Sequence, residues 1–454
     1  MSAMTRLQGN SLAARATRSA LLTVGGFGFA QALRLASNLI LTRLLFPEAF
    51  GLMALVLVWL MGLGLFSDVG ITPAILHSKR GDDRDFLNTA WTMQIIRGVG
   101  LWVTACLLAF PMAWVYDEPM LTQILPVAAL LLLFNGFRPT RMITANRHLN
   151  LGRLTLLEAA VQVVGVSSGV ILAVLTGSIW SLVAAGVIGA AAELVIYGLF
   201  LPGERNRLRW EPKAVKELFS FGKWMFLSTA CGFFFLQADK LLIGKFIPLD
   251  AFGVYNIGFF LAAFPMMLGT MVTQKVLIPI YREAPPRESR ANFLKLRKMR
   301  FLASAALIPM VGIFALLGVW IVGVLYDPRY VNAGAVVVVL ACAQIPAILV
   351  LTYDQAALAA GDSKRFFVLS AVRAVVMVAC LLVGLQSGGL LGALVGQGVA
   401  YLVIYPGVVW LARHMGAWDP LHDAVFALIG LVLTALALGG NWPHFMALAV
   451  KTGG

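Results

Sequence analysis

Apolar runs of roughly 20 residues alternate with short polar breaks along almost the whole chain. About 20 helical residues cross the roughly 30 Å hydrocarbon core of a bilayer. The runs predict spans at about 19–45, 50–76, 89–114, 121–138, 155–176, 179–201, 222–246, 251–279, 301–325, 334–357, 366–386 and 389–412. A thirteenth run covers about 423–440, and the tail after it is too short to cross alone. The pattern predicts an all-α polytopic membrane protein with twelve core transmembrane helices plus one or two C-terminal extra segments.

The pattern also contains an internal repeat. The first copy reads RLASNLILTRLLFPEAFGLMAL from Arg34, and the second reads DKLLIGKFIPLDAFGVYNI from Asp239. With a shift of 202 positions the aligned pairs are Ser37 with Asp239, Asn38 with Lys240, Arg43 with Lys245, Glu48 with Asp250 and Gly51 with Gly253. The two copies align without a gap, and both begin with polar residues and contain an acidic residue followed by Ala-Phe-Gly. Such a repeat indicates two homologous halves.

The spacing of the copies predicts how the halves are oriented. Six spans separate them, so the chain returns to the same side of the membrane and the two six-helix lobes are parallel, around a central cavity. The predicted division is a cytoplasmic N-terminus at 1–17, lobes at 18–202 and 222–414, an inter-lobe linker at 203–221, and a C-terminal extra segment and tail at 415–454.

Composition agrees with a membrane setting. Hydrophobic residues make up 60% of the chain and charged residues only 12%, against about 25% charged in soluble domains. The net charge of +14 comes from basic residues concentrated in alternate loops, whereas Arg329 is the only basic residue of the opposite loops. By the positive-inside rule the N-terminus and the basic loops are cytoplasmic. This placement argues against nucleic acid as a partner, and the short outer loops leave no room for an extracytoplasmic catalytic domain.

Polar side chains inside the spans are candidates for function, because burying charge in lipid is costly. On the first helix Gln31, Arg34 and Asn38 share one face, and Gln237 and Lys240 do so on the seventh. The predicted substrate-binding residues of a cationic cavity are Arg34, Arg97, Lys240, Arg373, Gln31, Asn38 and Gln237. Guanidinium groups bind phosphate oxygens in pairs, so such a cavity suits an anion. The alternative is a set of separate structural ion pairs.

No nucleotide-binding motif and no metal-ligand spacing is found, and the four cysteines lie within apolar runs. We therefore predict no cofactor, no metal and no enzymatic activity. Energy for transport would come from an ion gradient or the membrane potential, through a buried carboxylate. Asp239, Glu158 and Asp354 are the candidates, and the sequence does not choose among them.

The two hairpins resemble those of the polysaccharide transporter family, the bacterial Wzx-type flippases of the multidrug/oligosaccharidyl-lipid/polysaccharide superfamily. The resemblance covers about residues 18–412 and is carried by SNLILTRLLFPEAFGLMAL, FSDVGITPAIL and QADKLLIGKFIPLDAFGVYNIG. It implies alternating access between two lobes and a cationic cavity that holds a pyrophosphate. It also implies flipping of undecaprenyl-pyrophosphate-linked oligosaccharide to the periplasmic leaflet, for lipopolysaccharide or exopolysaccharide biosynthesis.

The resemblance also implies a multi-pass protein of the bacterial inner membrane, with membrane lipids and a polysaccharide polymerase or chain-length protein as partners. Two other functions stay open at this point. A cation-coupled multidrug exporter of the same superfamily would need a more acidic or aromatic cavity. A membrane glycosyltransferase or polymerase would carry catalytic residues on a large outer loop.

Overall fold

The computed structural model describes residues 12–68, 70–148, 151–273, 277–353 and 362–451. Within them the regular structure is helical. The first nine helices are α1 Leu12–Leu44, α2 Pro47–Phe66, α3 Ile71–His77, α4 Arg84–Tyr116, α5 Leu121–Ala128, α6 Leu130–Gly136, α7 Arg141–Arg147, α8 Leu151–Thr176 and α9 Trp180–Phe200. The next nine are α10 Pro212–Phe246, α11 Leu249–Ala262, α12 Phe264–Val272, α13 Ile278–Glu283, α14 Arg290–Leu325, α15 Ala333–Val350, α16 Ser363–His414, α17 Pro420–Gly440 and α18 Trp442–Lys451.

The helices agree with the predicted membrane fold, because a lipid-embedded backbone must satisfy its hydrogen bonds internally. In the described part of the chain, eight helices are long and apolar enough to cross a membrane, or up to ten if each of two bent pairs counts as one span. The sequence predicted twelve core spans. Part of the difference is α16, which is 52 residues long and holds two predicted spans.

Helix α16 is a hairpin rather than one rod. Its backbone leaves helical geometry at Gly388 and Gly389, where Gly389 has a φ of 55°, which favours glycine. A Cβ atom on Gly384 would overlap the carbonyl oxygen of Gly392, and one on Gly396 would overlap that of Cys380. The two limbs therefore run antiparallel in backbone contact. The predicted spans 366–386 and 389–412 are these limbs.

Two other predicted spans are broken. The fourth bends by 58° between α6 and α7, and the eighth bends by 43° between α11 and α12. Pro139 lies within the first break, and Pro265 is the second residue of α12. Proline lacks an N–H donor and disfavours a helical residue before it, which accounts for both bends.

The chain divides into two compact units. Unit 1 comprises residues 1–45 and 56–229, and unit 2 comprises residues 46–55 and 230–454. In unit 1, α8 and α9 are antiparallel, since a Cβ atom on Gly165 would lie 3.7 Å from the Cα atom of Gly189, and one on Gly169 would lie 2.9 Å from Ala185. Helix α1 packs on α8, where the Gln162 amide donates to the carbonyl oxygen of Ala30 at 3.0 Å.

The second half of the predicted linker is helical, because α10 begins at Pro212. The residues before it lie along α4 and form what we call the strap, residues 204–211. Backbone N–H groups of the strap donate to α4 side chains: Arg207 to Asn88 at 2.9 Å, Arg209 to Thr92 at 3.0 Å and Glu211 to Thr89 at 3.1 Å. Hydroxyl and amide oxygens thus replace the helix or sheet partners that the strap lacks.

Unit 2 contains a contact between the two repeated turns, because residues 46–55 belong to it. A Cβ atom on Gly51 would overlap the carbonyl oxygen of Leu249, and one on Gly253 would overlap that of Pro47. The same shift of 202 positions relates both pairs, so the contact is reciprocal. Only residues without a side chain allow the two backbones to come this close.

The C-terminal segment beyond 415 is part of unit 2. Asp423 of α17 is buried and accepts hydrogen bonds from Tyr353 at 2.6 Å, Tyr405 at 2.8 Å and Trp418 at 3.1 Å. Arg297 of α14 donates twice to Asp419, at 2.6 and 2.8 Å. These bonds fasten the start of α17 to α14, to the end of α15 and to the last turns of α16.

Candidate functional site

A buried carboxylate in unit 2 is the first component of the candidate site. Asp239 lies on α10 and is 3% exposed. The Tyr255 hydroxyl of α11, which is fully buried, donates to its Oδ2 atom. The Oδ1 atom is also buried and has no hydrogen-bond partner among the described residues. An acceptor left open in the interior is where a proton or a cation would be stabilised.

Helix α16 brings further polar groups to this carboxylate. Tyr401, on its second limb, lies near the charges of Asp239 and Arg373 and near the Gln397 side chain. The Arg373 guanidinium lies 5.7 Å from the centroid of the Phe235 ring, and Phe235 stacks edge-on with Tyr401 at 6.1 Å. Folding the helix at Gly388 and Gly389 places Arg373 and Tyr401 on facing limbs. The structure thus brings the predicted residues Asp239 and Arg373 into one cluster.

Lys240 follows Asp239 but has different surroundings. Its half-buried ammonium donates to the side-chain oxygen of Gln237 at 2.8 Å and lies 4.1 Å from the centroid of the Phe259 ring. Both contacts stabilise the charge without neutralising it. The predicted shared face of Gln237 and Lys240 is therefore a direct contact.

In unit 1 the predicted cation Arg97 is half-buried on α4. Its Nε atom donates to the Ser67 hydroxyl at 2.9 Å, and its Nη2 atom donates to the carbonyl oxygen of Gly64. It lines a cavity of about 230 Å³ together with Gln94, Asn135 and Arg138. The charge of Asp68 also acts on Arg97.

Two carboxylates lie close to this cavity. Glu193 of α9 is 9% exposed and accepts a hydrogen bond from the Nη2 atom of Arg138 at 2.6 Å. Glu158 of α8, the predicted coupling residue, is exposed on its helix and interacts with the charges of Glu193 and Arg138. Arg138 ends the predicted fourth span and was not among the predicted site residues, and its pairing with Glu193 was missed. The available signal was its place directly at the end of an apolar span.

The predicted polar face of the first helix is divided by its packing. Helix α1 is continuous, so Gln31, Arg34 and Asn38 do share a face, but Arg34 is exposed while the other two are half-buried. The Oδ1 atom of Asn38 is buried and has no partner in the described part of the chain. Arg34 and Arg97 belong to unit 1, Lys240 and Arg373 to unit 2, and one shared cavity for all four stays a prediction.

Asp354, the third predicted coupling residue, lies outside the described residues. Among the residues that are described, no three His, Cys, Asp or Glu side chains are grouped as a metal site would require. The polar groups of the candidate site, in the described part of the chain, are cations, carboxylates, amides and phenols.

The chain is similar to proteins of bacterial surface-polysaccharide biosynthesis. It is 24% identical over 450 residues to the succinoglycan biosynthesis transport protein ExoT of Rhizobium meliloti, covering 94% of this chain and 86% of ExoT. It is 23% identical over 332 residues to the teichuronic acid biosynthesis protein TuaB of Bacillus subtilis, covering 71% of this chain and 67% of TuaB.

Among solved structures, the lipid II flippase MurJ in an inward closed conformation matches with a TM-score of 0.69. The match is 11% identical and covers 95% of this chain and 96% of MurJ, which shows a shared helical transporter fold. The model of the family described as "Polysaccharide biosynthesis protein" matches residues 40–335. The resemblance read from the two hairpins is thus confirmed, and the chain belongs to this family of polysaccharide biosynthesis proteins, a flippase family of the multidrug/oligosaccharidyl-lipid/polysaccharide superfamily.

Proposed function

We propose that this chain flips undecaprenyl-pyrophosphate-linked oligosaccharide from the cytoplasmic to the periplasmic leaflet of the bacterial inner membrane. Membership of a polysaccharide biosynthesis family and the fold shared with a lipid II flippase support lipid-linked sugar as the cargo. The basic loops support a cytoplasmic N-terminus. A polysaccharide polymerase or chain-length protein would receive the flipped unit.

The observation that carries the proposal is the surroundings of Lys240. A cation in an apolar helix is normally neutralised by a carboxylate. The ammonium of Lys240 instead contacts the Gln237 amide oxygen and the Phe259 ring, which preserve its positive charge. A cation held in the described residues by an amide oxygen and an aromatic ring favours binding of an anionic group such as pyrophosphate.

Asp239 is the best candidate for the residue that binds the coupling ion. One of its oxygens is held by Tyr255, and the other is buried without a hydrogen-bond partner in the described residues. The pair fixes the carboxylate in place while leaving it able to take a proton or sodium ion. Glu158 is exposed and already interacts with Glu193 and Arg138, which makes it the weaker candidate.

Transport would proceed by alternating access, with the two halves rocking around a central site. The reciprocal glycine contact supports this mechanism, because it identifies where the two repeated turns meet. We infer that the turns are closed against each other when the substrate site is open to the cytoplasm. They would part when the site opens to the periplasm.

Complementation of a flippase-null strain tests the proposal, with surface polysaccharide as the measurement. The Lys240→Ala variant and the Arg34→Ala, Lys240→Ala double variant should lose export while their membrane levels stay normal. Lys245→Ala is the matched control, because Lys245 is exposed in the last turn of the same helix. Failure of the unaltered protein to restore surface polysaccharide would overturn the proposed flippase function, and full export by the double variant would overturn the cationic substrate site.

A further inference from the structure

Two glycines bring a pair of arginines together in unit 1. A Cβ atom on Gly98 would lie 3.0 Å from the Cα atom of Gly136, and one on Gly136 would lie 2.8 Å from the carbonyl oxygen of Gln94. Helices α4 and α6 therefore touch through their backbones. Arg97 precedes one glycine and Arg138 follows the other by two residues, so both side chains reach the same space.

That space consists of two adjoining cavities. The smaller, of about 230 Å³, is lined by Arg97, Arg138, Gln94 and Asn135. The larger, of about 440 Å³, shares Asn135 and Arg138 with it and adds Glu193. Arg138 thus lies between a cavity that holds a second cation and a cavity that holds its own carboxylate partner.

The hydrogen bonds of these side chains are incomplete. The Nε atom of Arg138 and the Oε1 atom of Gln94 are buried and have no hydrogen-bond partner in the described ranges. A guanidinium has five N–H donors, and a 180° rotation of the Gln94 amide would offer two more. Buried polar atoms without a protein partner in the described ranges can hydrogen-bond to a ligand, and donors from two arginines select an anion.

The depth of the cavity matches a lipid headgroup. The strap docks on α4 as far as Thr92, and we expect its irregular polar backbone at the cytoplasmic surface rather than in the hydrocarbon region. Arg97 is five residues further along, or about 7.5 Å at 1.5 Å per residue. With the basic loops in the cytoplasm, the arginines lie near the headgroup level of the inner leaflet.

We infer that Arg97 and Arg138 form a binding site for the diphosphate of a lipid headgroup, and that Glu193 is a resident anion that competes for Arg138. The inference rests on the proposed function, because the inferred site would bind the proposed substrate within unit 1. In the structure, Glu193 holds Arg138 at 2.6 Å. A diphosphate bridging the two guanidinium groups replaces that ion pair, so the site binds its ligand reversibly rather than permanently.

Titration of the purified full-length protein in detergent tests the site, with inorganic pyrophosphate and farnesyl diphosphate as probes and calorimetry as the measurement. Arg138→Gln should weaken binding of both by about tenfold, the loss of one charge-assisted contact. Arg138→Lys should fall in between, because it keeps the charge but loses the planar fork. Glu193→Gln should bind both probes more tightly than the unaltered protein.

Arg141→Gln is the charge-matched control. The Arg141 side chain donates to the carbonyl oxygens of Tyr197 at 2.7 Å and Gly198 at 2.8 Å, and it lines neither cavity. An equal loss in Arg141→Gln would show that only net charge matters, and weaker binding by Glu193→Gln would exclude the competitor. Either result overturns the inference, as would binding of inorganic pyrophosphate without farnesyl diphosphate.

The inference and the proposed function can fail separately. If Lys240→Ala abolishes export while Arg138→Gln leaves diphosphate binding unchanged, the site in unit 1 is wrong and the flippase stands. If diphosphate binds as expected but the Arg34→Ala, Lys240→Ala variant exports normally, the site stands and the cationic mechanism proposed for export is wrong.

Discussion

The two copies of the repeated hairpin have the same backbone contact but different chemistry. In the second copy Asp239 and Lys240 are bonded by Tyr255 and Gln237. The aligned positions of the first copy are Ser37 and Asn38, and those of the bonding partners are Met53 and Leu35. The glycines of both copies still meet reciprocally. The close approach of the turns therefore depends on the backbone, whereas the carboxylate proposed to hold the coupling ion lies in one copy only.

The largest effect is expected from locking the two turns together. Glu48 and Asp250 are both exposed at aligned positions beside the glycine contact. With the four native cysteines replaced, Glu48→Cys and Asp250→Cys should form a disulfide under oxidation, which requires Cα atoms within about 7 Å. Export should stop on oxidation and resume on reduction, whereas export by each single variant should not change when the oxidant is added. Efficient crosslinking with continued export would show that the turns do not part during transport.

Asp239→Asn tests whether export needs the ionisable carboxylate that only the second copy carries at this position. The amide oxygen can still accept the Tyr255 hydrogen bond, but the residue no longer ionises, so export should fall by about tenfold or more if it holds the coupling ion. Ser37→Asp in the same protein should not restore export, because the first copy has no phenol at the position of Tyr255. Ion-driven transport in vesicles measures both. Restoration by Ser37→Asp would mean that the copies are interchangeable.

The glycine contact should respond equally from either side. Adding one methyl group to a packed contact costs about 1–3 kcal/mol, so Gly51→Ala and Gly253→Ala should lower thermal stability in detergent by similar amounts. Gly232→Ala is the control, because a Cβ atom there would have no neighbour within 4 Å. A large loss for only one of the two would show that the contact is not equivalent in the two copies.

The smallest effect concerns the strap of unit 1; the positions 202 residues later, 406–413, lie in helix α16. Hydrogen bonds from Arg80 lower the pKa of both Asp83 and Glu211. Carboxylates with a depressed pKa stabilise the fold at neutral pH and lose that contribution as the pH falls below their ordinary range of about 4. Arg80→Gln should change the melting temperature slightly at pH 7 and not at all once both carboxylates are protonated. An equal change at both pH values would contradict this role.

The sequence predicted the elements well because membrane helices are long and uniform in composition. Arg34, Asn38 and Gln31 were placed on one face correctly, since helical spacing determines that much. Their neighbours were not predictable, because periodicity indicates a direction but not what lies across from it. Arg138 illustrates the limit: it stands at the end of a predicted span and was not predicted as a site residue, and only packing through Gly98 and Gly136 brings it to the cavity that Arg97 lines.

The strap shows the same limit. Most of its residues are polar and they show no helical periodicity, so they indicated a linker. The hydrogen bonds that hold it use backbone N–H groups and the side chains of Asn88, Thr89 and Thr92, which in sequence are ordinary helix residues. Sequence patterns record which side chains are apolar, and they say little about backbone groups that bond to distant side chains.

The reciprocal glycine contact has a bearing on ancestry. When residue i of one copy touches residue j of the other, and the equivalent j touches i, the contact is isologous, the kind made by two identical subunits around a two-fold axis. Gly51 against Leu249 and Gly253 against Pro47 meet that condition within one chain. A half-length ancestor with the same turn would have met its own copy through this glycine. Gene fusion would then have preserved a homodimer interface, and left each half free to change its charges independently.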